Sequence, residues 1–186
     1  MFYFLYLETQ IIDSHSCNGN NKLFSLGFDP DYSKPFILSM TIMARSIPGY
    51  GAIFSDRDLV KSGGSNRIEL LWHKNQKIDG RVDNEDITFT YNETVVLKVN
   101  NRYDVAITFD GSKCRFYLDG NQFLEVNCLS GFKGMIPDPL LCRTATPGSL
   151  PTWGTGWNGL IENVRFDGIQ KRGILMSLIF CNGAAT

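Results

Sequence analysis

An all-β fold, a sandwich or jelly roll, is predicted for this 186-residue chain on three observations. Apolar residues recur at every second position through short segments, the signature of half-buried strands. Turn signals separate these segments at intervals of about 8–12 residues, the spacing of an antiparallel sandwich. Two of the turns are Asp-Gly pairs between alternating runs, the strongest short-range hairpin signal. Thirteen Phe and seven Tyr also suit pleated strands better than helices.

The elements follow in order. Residues 1–7 are apolar and aromatic and read as a strand. No basic residue precedes them, Glu8 ends them, and no small-residue cleavage site follows, so they make a poor targeting segment. They are also far short of the roughly 20 residues needed to span a bilayer. Residues 36–44 are a strand with Phe36, Leu38, Met40 and Ile42 on one face. Pro48, Gly49, Tyr50 and Gly51 read as a turn, residues 52–55 as a short strand, and residues 56–66 as a polar loop. Residues 67–73 are a strand with Ile68, Leu70 and Trp72 on one face. Residues 75–86 are polar, with a turn expected at Asp79-Gly80. Residues 87–91 and 95–99 are strands.

Then comes the clearest stretch. Val105, Ile107 and Phe109 alternate with Ala106 and Thr108 before Asp110-Gly111. Cys114, Phe116 and Leu118 alternate with Arg115 and Tyr117 before Asp119-Gly120. Residues 124–129 are a further strand. Residues 131–157 hold Pro137, Pro139, Pro147 and Pro151 and read as irregular. Residues 160–166 and 174–180 are closing strands, though eight residues near 173–180 also allow a short helix. With no linker or repeat, residues 1–186 are expected to form one domain.

Composition removes some functions. The formal charge is −1 and no Lys/Arg run occurs, so nucleic acid and anionic membrane are not expected partners. Hydrophobic residues make up 43%, enough for a core without staples. The five cysteines, Cys17, Cys114, Cys128, Cys142 and Cys181, fit no zinc spacing. Cys114 and Cys128 are in phase with core positions and are expected as buried thiols. The set is expected to be reduced, and the sequon at Asn92 to carry no weight.

Four segments resemble the laminin G-like or concanavalin A-like lectin/glucanase superfamily. They are residues 36–44, residues 103–111 ending in Asp110-Gly111, residues 115–120 ending in Asp119-Gly120, and residues 157–166 starting at Trp157-Asn158-Gly159. Their order fits the family across residues 20–170. The resemblance implies a jelly-roll sandwich of two antiparallel sheets. It also implies a buried aromatic at Trp157. Fold analogy alone supplies no function.

Catalysis is not expected. Glucanases of this superfamily carry Glu-x-Asp-x-x-Glu on one strand, and that motif is absent. Hydrolysis needs two carboxylates flanking the bond. Glu69 stands alone on its strand face, while Asp79, Asp83, Glu85 and Asp86 read as a solvated loop. His15 and His73 read as surface histidines with no group to orient them. No cofactor is expected, with calcium as the one candidate. Calcium needs six to eight oxygens, and Asp56 and Asp58 on the loop after Phe54 are the first choice, Asp29 and Asp31 the second.

The candidate ligand-binding residues are Trp153 in the glycine-rich loop, Tyr50 between glycines, and Arg57. An aromatic face with a few fixed polar groups is what sugar binding requires. Trp72 is expected in the core. The expected function is a non-catalytic lectin-like module for glycan or protein surfaces. The alternative is a phage or virus decoration or fibre protein, held in a homo-oligomer or virion by subunit contacts. That alternative follows from a lone domain starting at Met1 without a secretion signal, which also suggests the virion surface, or the cytoplasm at synthesis. A glycoside hydrolase is disfavoured by the missing carboxylate pair.

Overall fold

The computed structural model describes residues 9–18, 24–26, 30–46, 50–57, 67–73, 76–84, 87–128, 132, 140–142 and 157–168. The strands expected at residues 1–7 and 174–180 lie outside them. Twelve strands occur among the described residues: β1 Thr9–Asn18, β2 Phe24–Ser25, β3 Phe36–Ala44, β4 Tyr50–Arg57, β5 Arg67–His73, β6 Lys77–Asn84, β7 Ile87–Val96, β8 Tyr103–Phe109, β9 Lys113–Leu118, β10 Asn121–Asn127, β11 Leu140–Leu141 and β12 Asn158–Gly168. They form two six-stranded sheets, ordered β1-β12-β3-β8-β9-β10 and β2-β11-β4-β5-β6-β7. Every pairing is antiparallel.

The hairpins form where the Asp-Gly signals stand. Asp119 (φ 48°) and Gly120 (φ 77°) are both left-handed, and Leu118 pairs with Asn121 across them. That is the two-residue turn matching strand twist. In the β8–β9 turn Gly111 has φ 100°. Asp110 there accepts hydrogen bonds from the Lys113 and Ser112 amides at 2.8 and 2.9 Å. Arg115 Nη1 adds a contact at 2.7 Å.

The Lys113 amide first, then Arg115 and Ser112, hold the Asp110 carboxyl well below the usual carboxylate range. A depressed acid pKa stabilises the fold above the unfolded value, near 4, and that contribution fades as pH falls toward the folded value. Asp110→Asn is therefore expected to lower the urea midpoint at pH 7. The gap to the wild-type chain should narrow steadily from pH 5 to pH 2. A gap independent of pH would remove the charge from this explanation.

Three sequence expectations are corrected. Tyr50 and Gly51 belong to β4, not to a turn. Residues 87–96 form one continuous strand, β7, rather than two strands split at the sequon. Residues 77–84 form strand β6, not a polar turn at Asp79-Gly80. The reason for the last lies across the sandwich: a Cβ on Gly80 would stand 2.8 Å from the Phe116 ring of β9. Gly80 marks a close approach of the opposite sheet, the other common reason for glycine in a strand.

The core lies between the sheets. Phe36, Leu38, Met40 and Ile42 of β3 meet Ile68, Leu70 and Trp72 of β5, all within one buried cluster. Trp72 and Trp157 are fully buried with ring centroids 5.1 Å apart. Phe36 stacks on Phe166 at 5.7 Å, and Phe132 meets Phe109 edge-on at 5.6 Å. Cys114 and Cys128 are buried thiols outside any disulfide, as their phase predicts.

Cys17 and Cys142, expected to be reduced, instead form a disulfide across 125 residues of sequence, with Cα atoms 5.7 Å apart. It ties β1 of the first sheet to the residue after β11 of the second. No spacing rule reports such a pair, because only the folded topology brings the two segments together.

Candidate functional site

The open face of the first sheet carries a groove of about 520 Å³ lined by residues of β3, β8, β9 and β12, with Gly120 at one end. The register explains it. One row across the strands reads Arg165, Ser39, Ala106, Tyr117. Small side chains in the middle make a floor, and the long ones at either end make walls. Strand alternation turns these residues outward, because Leu38, Met40, Val105, Ile107, Phe116 and Leu118 occupy the buried phase.

The next row supplies polar groups. Thr41 Oγ1 donates to Asp104 Oδ1 at 2.8 Å, and the Asp104 amide donates to Asp119 Oδ1 at 2.8 Å. Asp104 is thereby fixed at the mouth of the β9–β10 hairpin. A bulge in β12 between Glu162 and Arg165 puts Asn163 at φ 53°, and Asn163 lines the groove as well. Bulges commonly re-aim side chains at functional edges. Glu162 of β12 continues this row, opposite Thr41, and its Oε2 pairs with Arg102 Nε at 2.9 Å.

The second sheet carries a different polar set on the side of β5 and β6 that faces away from the core. Glu69 stands opposite Ser55 and Arg81 in the register, and Asp79 stands opposite Leu71. Ser55 Oγ donates to Glu69 Oε1 at 2.9 Å, and Arg81 Nε donates to Asp79 Oδ2 at 2.6 Å. All four are buried. Asp79 is thus a buried ion-pair partner, not a loop residue in water, and Glu69 is not alone on its face.

The sequence-predicted residues are placed as follows. Asp56 lies in strand β4 rather than on a loop, opposite Ile68. It is fully buried and accepts a 2.5 Å hydrogen bond from the Tyr32 hydroxyl. Burial first, then the Asp56 charge and this hydrogen bond, push the Tyr32 pKa well up. The expected loop position of Asp56 is corrected by that placement. Tyr50 and Arg57 sit at opposite ends of β4, with their side chains outside the described residues. Trp153 and Asp58, together with Asp29, lie outside them entirely. Asp31 caps a tight turn, accepting from the Ser33 amide at 3.1 Å. His15 is half-buried on β1 rather than a free surface residue, and burial lowers its pKa. Trp72 and Trp157 are in the core, as expected.

The groove residues Ser39, Thr41, Asp104, Tyr117, Asn163 and Arg165 were not expected as a site. The signal that would find them is the outward phase of strands β3, β8, β9 and β12, taken together across the sheet.

A family model described as the concanavalin A-like lectin/glucanases superfamily matches residues 18–168. No curated protein matches the chain. Among solved structures, the chain is similar to mouse laminin alpha1 chain domains LG4-5, at 12% identity and TM-score 0.62, covering 87% of this chain and 44% of that one. It is similar to NanB plus Optactamide, at 12% identity and TM-score 0.63, covering 86% and 26%. It is similar to Trypanosoma rangeli sialidase, at 13% identity and TM-score 0.55, covering 86% and 25%. The chain spans less than half the length of each, and at these identities the likeness is one of fold. Among the described residues no helix is long and apolar enough to cross a membrane.

Proposed function

The chain belongs to the concanavalin A-like lectin/glucanases superfamily, and from that premise we propose that it is a non-catalytic module that binds a glycan or a protein surface across the open face of its first sheet. The observation that carries this reading is the groove with Ser39 and Ala106 as floor and Tyr117 and Arg165 as walls. Tyr117 offers an aromatic ring for sugar C–H groups. Asn163 and Arg165 offer donors, and Asp104 and the Thr41 hydroxyl oxygen offer acceptors, the Thr41 proton being given to Asp104. Among the described lining residues Asp104 is the single carboxylate, whereas glycoside hydrolysis needs two, about 5–10 Å apart. That favours binding over hydrolysis.

Arg165 suits an acidic sugar, and Trypanosoma rangeli sialidase has been seen with sialic acid, so sialylated glycans head the trial. The assembly reading gains less support. Ile37 and Val96, the exposed large apolar residues among those described, lie on different sheets. They form no broad patch of the kind a subunit contact uses. Size-exclusion chromatography with light scattering is expected to show a monomer, and a defined larger ring would restore the virion reading.

The test is a glycan array followed by titration, with and without calcium. Tyr117→Ala and Arg165→Ala are each expected to weaken binding tenfold or more, about 1.4 kcal/mol, with the β-sheet circular dichroism of the folded chain retained. Wild-type affinity in both variants would sink the groove as the site. If Trp153→Ala alone abolished binding, the set of Trp153 with Tyr50 and Arg57 of β4 would take its place.

A further inference from the structure

We propose that His15, Cys17 and Cys142 form a binding site for a zinc-type divalent cation when the Cys17–Cys142 disulfide is reduced. The geometry is already close. One ligand atom from each residue lies within 4.8 Å of the other two, and this is the one such cluster of three among the described residues. Tetrahedral zinc, with Zn–S about 2.3 Å and Zn–N about 2.0 Å, sets neighbouring ligand atoms roughly 3.4–3.8 Å apart. Separating the sulfurs and moving His15 by roughly 1 Å meets that spacing.

The fold supplies the ligands from two directions. His15 and Cys17 are two apart on β1 and share a face, as alternate strand residues must. They pair with Ile161 and Gly159 of β12, which hold their backbone. Cys142 arrives from the second sheet. Its amide donates to the Ile53 carbonyl at 3.1 Å, and its φ of 58° is a conformation few non-glycine residues adopt. Such a conformation persists where the surroundings over-determine it, often at functional positions. Cys17 and Cys142 are buried, and His15 is half-buried beside them, so the cation would sit at the rim of the sandwich.

The chemistry fits the donors. Thiolate and imidazole together select zinc over calcium or magnesium. Three protein ligands leave the fourth position to water. The two states exclude each other, because each uses both sulfurs. A dithiol reductant supplies two electrons and two protons and leaves as its own disulfide. The Cys17–Cys142 bond becomes two thiols, and the cation then displaces both thiol protons.

The experiment uses the full chain, reduced with a trialkylphosphine, freed of reductant without oxygen, and titrated with Co²⁺. The expected result is one Co²⁺ per chain with the d–d bands of tetrahedral cobalt and sulfur-to-metal charge transfer from two thiolates. The oxidised chain should show neither. His15→Ala should weaken binding at least tenfold, and Cys17→Ser should remove half the charge-transfer intensity or all binding. Should the reduced chain lose its β-sheet circular dichroism, Co²⁺ is expected to restore it. No one-to-one binding, a spectrum unchanged by His15→Ala and Cys17→Ser, or an unfolded chain that Co²⁺ fails to restore would each overturn the site.

Discussion

Trp72→Ala is expected to cost about 3–5 kcal/mol of stability, the usual toll for truncating a buried aromatic. Trp72 is fully buried, sits on β5 of the second sheet, and packs on Trp157, which leads into β12 of the first. Its ring therefore joins the two layers, and alanine would leave a void where they meet. The same site sets a finer test. Neither Trp72 Nε1 nor Trp157 Nε1 has a hydrogen-bond partner among the described residues. A buried unsatisfied donor costs about 1–3 kcal/mol. Trp72→Phe removes that donor together with part of the ring, so the two effects offset. It is expected to cost about 1–2 kcal/mol, well below alanine. Urea denaturation of the three chains measures both numbers. Equal costs for Phe and Ala would mean that the indole, not its bulk, holds the sheets together.

The strands that carry strict alternation were legible because burial on one face leaves a period of two in the sequence. Phe36–Ala44 and Arg67–His73 fall on the expected bounds; the apolar phase of the first is the buried one, whereas Glu69 and Leu71 of the second are buried as well as Ile68, Leu70 and Trp72. Trp157 followed from the family resemblance. What failed were judgements that depend on a partner far along the chain. Asp79-Gly80 looks like a turn by the same rule that found Asp110-Gly111 and Asp119-Gly120. It is strand because residues 77–84 pair with β5 and β7, and the Phe116 ring lying over Gly80 leaves no room there for a side chain. Asp56 looks solvated until β4 is set against β5 and the Tyr32 hydroxyl meets its carboxylate. The groove was missed for a related reason. Ser39, Ala106, Tyr117 and Arg165 are unremarkable one by one. They become a floor and two walls through a register spanning four strands that lie as much as 126 positions apart (165 − 39).

Cys17 and Cys142 give the other large effect. Closing a loop across 125 residues of separation restricts the unfolded chain by roughly 5 kcal/mol on the loop-entropy account, and native disulfides commonly contribute about 2–5. The bridge also crosses between sheets at β1, which among the described residues is an edge strand of the first sheet paired to β12 alone. Reduction is therefore expected to lower the urea midpoint substantially, and Cys17→Ser/Cys142→Ser should match the reduced wild-type chain. The slope of the transition should rise slightly, since an uncrosslinked unfolded chain exposes more surface. Cys142→Gly in place of Ser should recover part of the loss, because glycine accepts the φ of 58° at that position without a Cβ penalty. Reductant that leaves the midpoint unmoved would show that β1 is held by its strand pairing and core contacts alone. A loss in the serine pair that glycine does not relieve would place the whole effect in the unfolded chain.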